Sequence, residues 1–213
     1  EKRLLKFLFC LLLPFTSGAT SSFTLEEPEA EWFEIVAGFK EAKTLRGRFE
    51  ETRTNPFHRV PKRFEGTIRW KACLGFSLQY AQPSRTVISI TRNTMRIDRD
   101  GEIMSIGTEE GQAQVIALIS RLFSWDLDWI AREFSSSGEL KKGNGWKLEL
   151  VPRDPTYSET FDKLVVQGDT NQLDRITLDL RAGRTVEIKL DDIERDVCFS
   201  ESELNMAFLL DDG

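Results

Sequence analysis

The chain is poor in the residues from which most chemistry is built. Its 213 residues include three Cys, one His and two Tyr. A metal centre of several His and Cys ligands is therefore excluded, and so is a disulfide-dense miniprotein. A His-dependent catalytic triad would have to rest on His58 alone, between Phe57 and Arg59 in a stretch of turn residues, where a surface loop histidine is the plainer reading. Phosphate-cradling, dinucleotide-binding and G-x-S-x-G motifs are all missing. The sequence thus gives no catalytic residues, cofactor site or metal site. Positive charge is also scarce: 29 Lys and Arg stand against 35 Asp and Glu, a net charge of −6. That balance argues against a nucleic-acid partner. The densest acidic run, Asp191, Asp192, Glu194 and Asp196, fits a solvated strand end better than a calcium site.

Apolar runs of membrane-spanning length are absent as well. The single candidate, Leu4 to Phe15, is too short to cross a bilayer as a helix. It follows Lys2, Arg3 and Lys6 and precedes small residues, with Ser17 and Ala19 placed as a processing protease requires. This is the pattern of a secretory signal. Residues 1–19 are expected to be a removed leader and 20–213 a single domain in the periplasm, without stable membrane insertion. Removing the leader takes away one acidic and three basic residues and leaves a charge of −8. Cys73 and Cys198 then lie in an oxidising compartment. They can pair with each other or remain two separate small side chains.

What is present is alternation. Trp32, Ile35, Val36 and Phe39 fall at helical spacing over residues 28–42, with Pro28 suited to a first turn. From Thr44 the period becomes two, and strands follow around Phe49, Phe64 to Trp70, Phe76 to Tyr80, Val87 to Ile90, and Met95 to Ile97. Helical spacing returns from Glu109 to Phe123, where Val115, Leu118, Ile119 and Leu122 share a side, and a shorter helix is expected over 126–134. Strands resume around Leu148, Leu164, Ile176 to Leu180, and Val186 to Leu190, the last two joined at Ala182–Gly183. The expectation is an α+β domain: an antiparallel sheet of nine to eleven strands with three helices.

Three segments carry a family resemblance: LRGRFEETRTNPF, FEGTIRWK and FSLQYAQPSRTVISI, with Phe49, Gly66, Phe76, Gln82 and Pro83 in the matching places. They resemble the LolA-type periplasmic carriers of outer-membrane lipoproteins. The closing run FDKLVVQGDTNQLDRITLDLRAGRTVEIKL is similar to that family's last paired strands. The resemblance implies a curved, incomplete antiparallel barrel closed by helices, with an apolar concave face that shelters acyl chains. It implies lipidated proteins or another amphiphile as client, an inner-membrane ABC-type release complex and an outer-membrane receptor as partners, and a monomeric carrier without cofactor. Alternation collects Phe49, Phe64, Ile68, Phe76, Leu78, Tyr80, Met95, Ile97, Ile176, Leu178, Ile188 and Leu190 on one side of the sheet. With Leu118, Ile119 and Leu122 from the helix, they are the candidate lipid-binding residues. Taken without the resemblance, the same stripe is a filled core. There are two departures from the family. The strand expected to end in Asp-Gly reads Thr91-Arg92-Asn93-Thr94, where Asn93 is expected to supply the turn. Ala72 and Cys73 stand where a basic residue and Pro are common, and that basic residue is implicated in locking the helical lid.

Overall fold

The computed structural model describes residues 21–28, 30–91, 94–107, 118, 120–141, 143–170 and 172–210. One sheet of twelve strands runs in the order β1-β8-β9-β10-β11-β12-β2-β3-β4-β5-β6-β7. The strands are β1 (Ser21–Phe23), β2 (Thr44–Thr54), β3 (Lys62–Lys71), β4 (Gly75–Gln82), β5 (Thr86–Thr91), β6 (Thr94–Arg99), β7 (Glu102–Gly107), β8 (Phe134–Leu140), β9 (Gly145–Pro152), β10 (Phe161–Asp169), β11 (Gln172–Leu180) and β12 (Arg184–Arg195). Every neighbouring pair is antiparallel. β1 and β7 are the two edges, so the sheet is open. The count exceeds the expected range because β1 is only three residues long and β7 begins in a segment the periodicity left unassigned.

Helices are α1 (Ala30–Glu41), α2 (Leu127–Glu133), α3 (Pro155–Ser158) and α4 (Glu201–Phe208). Leu118 and residues 120–122 are also helical. Val115 and Ile119, assigned above to the same helix face, and Asn93, expected to supply a turn, lie outside the described residues. α2 starts where Asp126 accepts the Trp129 backbone N–H at 3.1 Å, satisfying one of the unpaired donors of its first turn. The hairpin between β11 and β12 turns at Ala182 and Gly183, with φ of 61° and 68°.

The register sorts the side chains. In β2, Leu45, Gly47, Phe49 and Glu51 are buried, whereas Arg48 and Glu50 are exposed. Cross-strand pairs extend this inner face across the sheet: Ile188 with Ile176 and Ile176 with Val166 on one flank, Ile68 with Leu78 and Trp70 with Phe76 on the other. A Cβ on Gly66 would lie 2.7 Å from the Phe49 ring, so glycine at that position lets the ring lie flat across β3. α1, the segment ending at Trp125, and α2 pack on this inner face and form one apolar cluster with it.

α4 lies on the opposite face, a placement the sequence analysis does not contain. Ser200 opens it with a reciprocal cap to Glu203. Its final carbonyls accept hydrogen bonds from three adjacent strands: Ala207 from Ser77 Oγ, Phe208 from Ser89 Oγ at 2.8 Å, and Leu209 from Arg96 Nη1 at 2.6 Å. Ser77, Ser89 and Arg96 are register partners in β4, β5 and β6. They satisfy carbonyls that a helix end leaves unpaired.

Candidate functional site

The candidate lipid-binding residues on the strands share the inner face. Phe49, Ile68, Phe76, Leu78, Tyr80, Ile176, Leu178, Ile188 and Leu190 are buried in the main cluster, and Phe64 packs against it half-buried. Met95 is buried too, but in a separate group with Ile90, bordered by Ile88, Ile97 and Ile106 toward the β7 edge. Leu118 and Leu122 are buried against the sheet.

The inner face is filled rather than vacant. Aromatic rings from the helical layer occupy it: Phe39 stacks on Trp125 with centroids 4.2 Å apart, Trp32 meets Trp146 at 5.6 Å, and Phe123 lies 5.1 Å from Phe76. Each such pair adds about 0.5–1.5 kcal/mol beyond its burial. Between α1, Trp125 and the β2, β3, β11 and β12 strands there remains a cavity of about 20 Å³, lined by Phe39, Ala42, Leu45, Trp70, Phe123, Trp125, Leu173, Leu190, Ile193 and Arg195. That is room for about one water molecule. A cavity of this size does not hold an acyl chain.

What holds that layer is partly polar. Arg195 Nη1 donates 3.0 Å to the Gly38 carbonyl in the last turn of α1, and its guanidinium sits 5.0 Å from the Phe39 ring centroid. Burial pushes the Arg195 pKa below the usual arginine value. Thus a cation on β12 reaches α1, and Ala72 uses its backbone N–H to bond the Lys43 carbonyl at 2.8 Å. Elsewhere, Arg121 lies over the Trp129 ring at 4.8 Å. The Trp32 indole N–H, fully buried, has no acceptor among the described residues.

A second polar cluster lies at the far end of the same face. Glu51 is 3% exposed. Its cross-strand neighbours are Ile188 and Phe64, so a carboxylate interrupts an apolar row. Tyr80 Oη donates to one oxygen at 2.6 Å, and Arg53 Nε donates to the other. The Arg53 guanidinium covers the Phe64 ring at 4.4 Å and forms the rim. Burial and the adjacent Glu51 both raise the Tyr80 pKa. Two-residue alternation placed Tyr80 on this face, but Glu51 and Arg53 fall on it at the same spacing and were missed because a charge at a core position looks like a strand end. Arg195 was missed for a different reason: an irregularity between Asp191 and Glu194 breaks the alternation just before it.

Cys73 and Cys198 do not pair. Both are exposed and free. Cys73 occupies the β3–β4 turn at φ 65° and Cys198 the extended stretch before α4. The acidic run after Leu190 also separates into individual contacts: Asp192 with Arg48, Glu194 with Arg46 at 2.7 Å, and Asp196 accepting the Lys43 N–H at 2.9 Å. Among the described residues no helix is long and apolar enough to cross a membrane.

No protein-family model matches the sequence, and no curated protein is similar to it. Solved structures of similar arrangement include an outer membrane lipoprotein-sorting protein domain from Vibrio parahaemolyticus, 12% identical, with 86% of this chain and 96% of that one covered and a TM-score of 0.48. Another is a LolA superfamily protein from Nitrosomonas europaea, 9% identical over 83% and 97% of the two chains, TM-score 0.44. A third is the MucA/MucB complex of Pseudomonas aeruginosa, 12% identical over 82% and 59%, TM-score 0.39. The order of helix, strands, helices and strands read from the periodicity is the order this chain has, as an open antiparallel sheet with a helical layer on its inner face.

Proposed function

We propose that the protein is an exported carrier of acyl chains. Its helical layer lifts from the inner face of the sheet and is replaced by the hydrocarbon of a lipid-modified protein. The observation that supports this best is the composition of the plug. An open sheet presents a continuous apolar face, and what covers it is a set of rings from α1 and the segment ending at Trp125, latched by Arg195 to the end of α1. Each methylene that replaces a displaced ring contact regains about 0.8 kcal/mol of burial. A client with several long chains is held in its membrane by tens of kcal/mol on the same scale. Loading therefore needs an energised inner-membrane partner of the ABC type, and unloading needs an outer-membrane receptor with a better apolar site. The carrier uses no catalytic step.

A second reading has specific support. Glu51, Tyr80 and Arg53 form a charged and hydrogen-bonding group at one end of the apolar face, and Ala72–Cys73 replace the family's basic residue and Pro. Both features suit an amphiphile with its own polar end, such as a glycolipid or pigment lipid. Purification under native conditions, followed by organic extraction and mass spectrometry, tests the proposal. Co-purifying acylated protein supports the first reading and a free amphiphile the second. Failure to retain any lipid and failure to bind an environment-sensitive fatty-acid probe, with the fold intact, overturn both.

A further inference from the structure

The β2–β3 hairpin spans residues 53–63, R-T-N-P-F-H-R-V-P-K-R, with four basic residues and no acidic one in a chain of net charge −6. Arg59, Lys62 and Arg63 are exposed, and so is Arg53, which pairs with Glu51. At its tip Asn55 organises the turn: its side chain accepts the Phe57 N–H at 3.0 Å and its carbonyl accepts the His58 N–H at 2.9 Å. Held in this way, Phe57 is 84% exposed and Val60 75% exposed. The β11–β12 turn lies alongside, because Thr54 pairs with Thr185 and a Cβ on Gly183 would stand 3.1 Å from Pro56. That turn reads R-A-G-R and adds exposed Arg181, which pairs with Asp162, and Arg184. Glu50 and Glu65, the nearest exposed acidic residues on the two strands, pair with each other in register further along the hairpin.

We propose that this end of the sheet docks on the surface of an anionic lipid bilayer. Two apolar tips ringed by cations match the headgroup boundary, where Phe57 and Val60 reach the acyl region and the basic side chains meet lipid phosphates. The patch is opposite in sign to the rest of the molecule, so it sets orientation: the basic end approaches while the acidic body is repelled. The inference does not depend on the carrier reading, since docking needs no occupied interior.

The test is co-sedimentation of residues 20–213 with vesicles of phosphatidylcholine alone or mixed equally with phosphatidylglycerol. Binding is expected only to the anionic vesicles and falls as salt is raised. The R59Q/K62Q variant should bind about twenty-five-fold more weakly, about five-fold per charge. Phe57→Ser should weaken binding further without altering salt dependence. The substituted side chains are exposed, so thermal midpoints should be unchanged. Equal binding to neutral vesicles, no binding to either, or unchanged affinity in both variants overturns the proposal.

Discussion

Tyr80 and Glu51 are joined across the inner face of the sheet by a 2.6 Å hydrogen bond from the phenol to the carboxylate. Both are almost fully buried, and Arg53 completes the group. A carboxylate in this position is tolerated only because its oxygens are occupied. Tyr80→Phe removes one donor and leaves the other groups in place. It should cost about 1–3 kcal/mol, read as a lower urea midpoint with an unchanged slope. An unchanged midpoint would mean that water replaces the phenol and that the rim is wetter than described.

The same pair gives a pH dependence. Burial and Glu51 raise the Tyr80 pKa above that of a free tyrosine, so the unfolded chain loses this proton first. The contribution is fully present below about pH 10, the unfolded value, and is lost as pH rises toward the folded one. Stability should therefore decline from about pH 10 upward, and the decline should be shallower in Tyr80→Phe. The only other tyrosine, Tyr157, is also raised by burial and is common to both proteins, so the difference isolates Tyr80. Parallel curves would remove the buried phenol from the account.

Alternation made the sheet legible where a strand has one wet face, as in β2, with Leu45, Gly47 and Phe49 against Arg46, Arg48 and Glu50. It could not reveal whether the apolar side encloses space, since a filled and an empty concavity need the same stripe. The answer lies in rings contributed from outside the sheet, Phe39, Phe123 and Trp125, whose contacts are set by tertiary packing. α4 was overlooked although Ser200 and Glu203 stand at capping-box spacing, because its eight residues carry little apolar periodicity. Glu51 and Arg53 were overlooked because charge at an inward position runs against the binary pattern on which the strand assignments depended.

Arg195 supplies the contact that governs lid opening in the carrier reading. Its hydrogen bond to Gly38 and its approach to Phe39 join β12 to the last turn of α1. A hydrogen bond from a charged group contributes about 1.5–3 kcal/mol. Arg195→Gln should accelerate amide exchange in α1 selectively, leaving the central strands protected, and should raise binding of an apolar fluorescent probe. Uniform acceleration across the molecule would mean that Arg195 supports the whole fold instead of the lid.

Removal of the Phe123 ring enlarges the existing cavity, because that ring borders it and packs on Phe76. Phe123→Ala should cost about 3–5 kcal/mol. If the inner face accepts acyl chains, added fatty acid should restore part of that loss by occupying the space, in proportion to the logarithm of its concentration. Destabilisation without any rescue would argue that the interior is a core and nothing more.

Two buried tryptophans separate packing from hydrogen bonding. Trp146 Nε1 donates to the Thr170 carbonyl at 2.9 Å, whereas Trp32 Nε1 has no acceptor among the described residues. The rings are in contact and both are almost completely buried, so changing either to Phe removes a similar apolar volume. Trp146→Phe also loses a hydrogen bond to the Thr170 carbonyl. Trp32→Phe instead relieves an unpaired donor. The first substitution should therefore destabilise the fold more than the second, by about 1–3 kcal/mol, in paired urea titrations. If the order reverses, Trp32 has an acceptor in the folded protein. Lipid extraction before the measurement then tells whether that acceptor belongs to a bound molecule: removing it should restore the expected order.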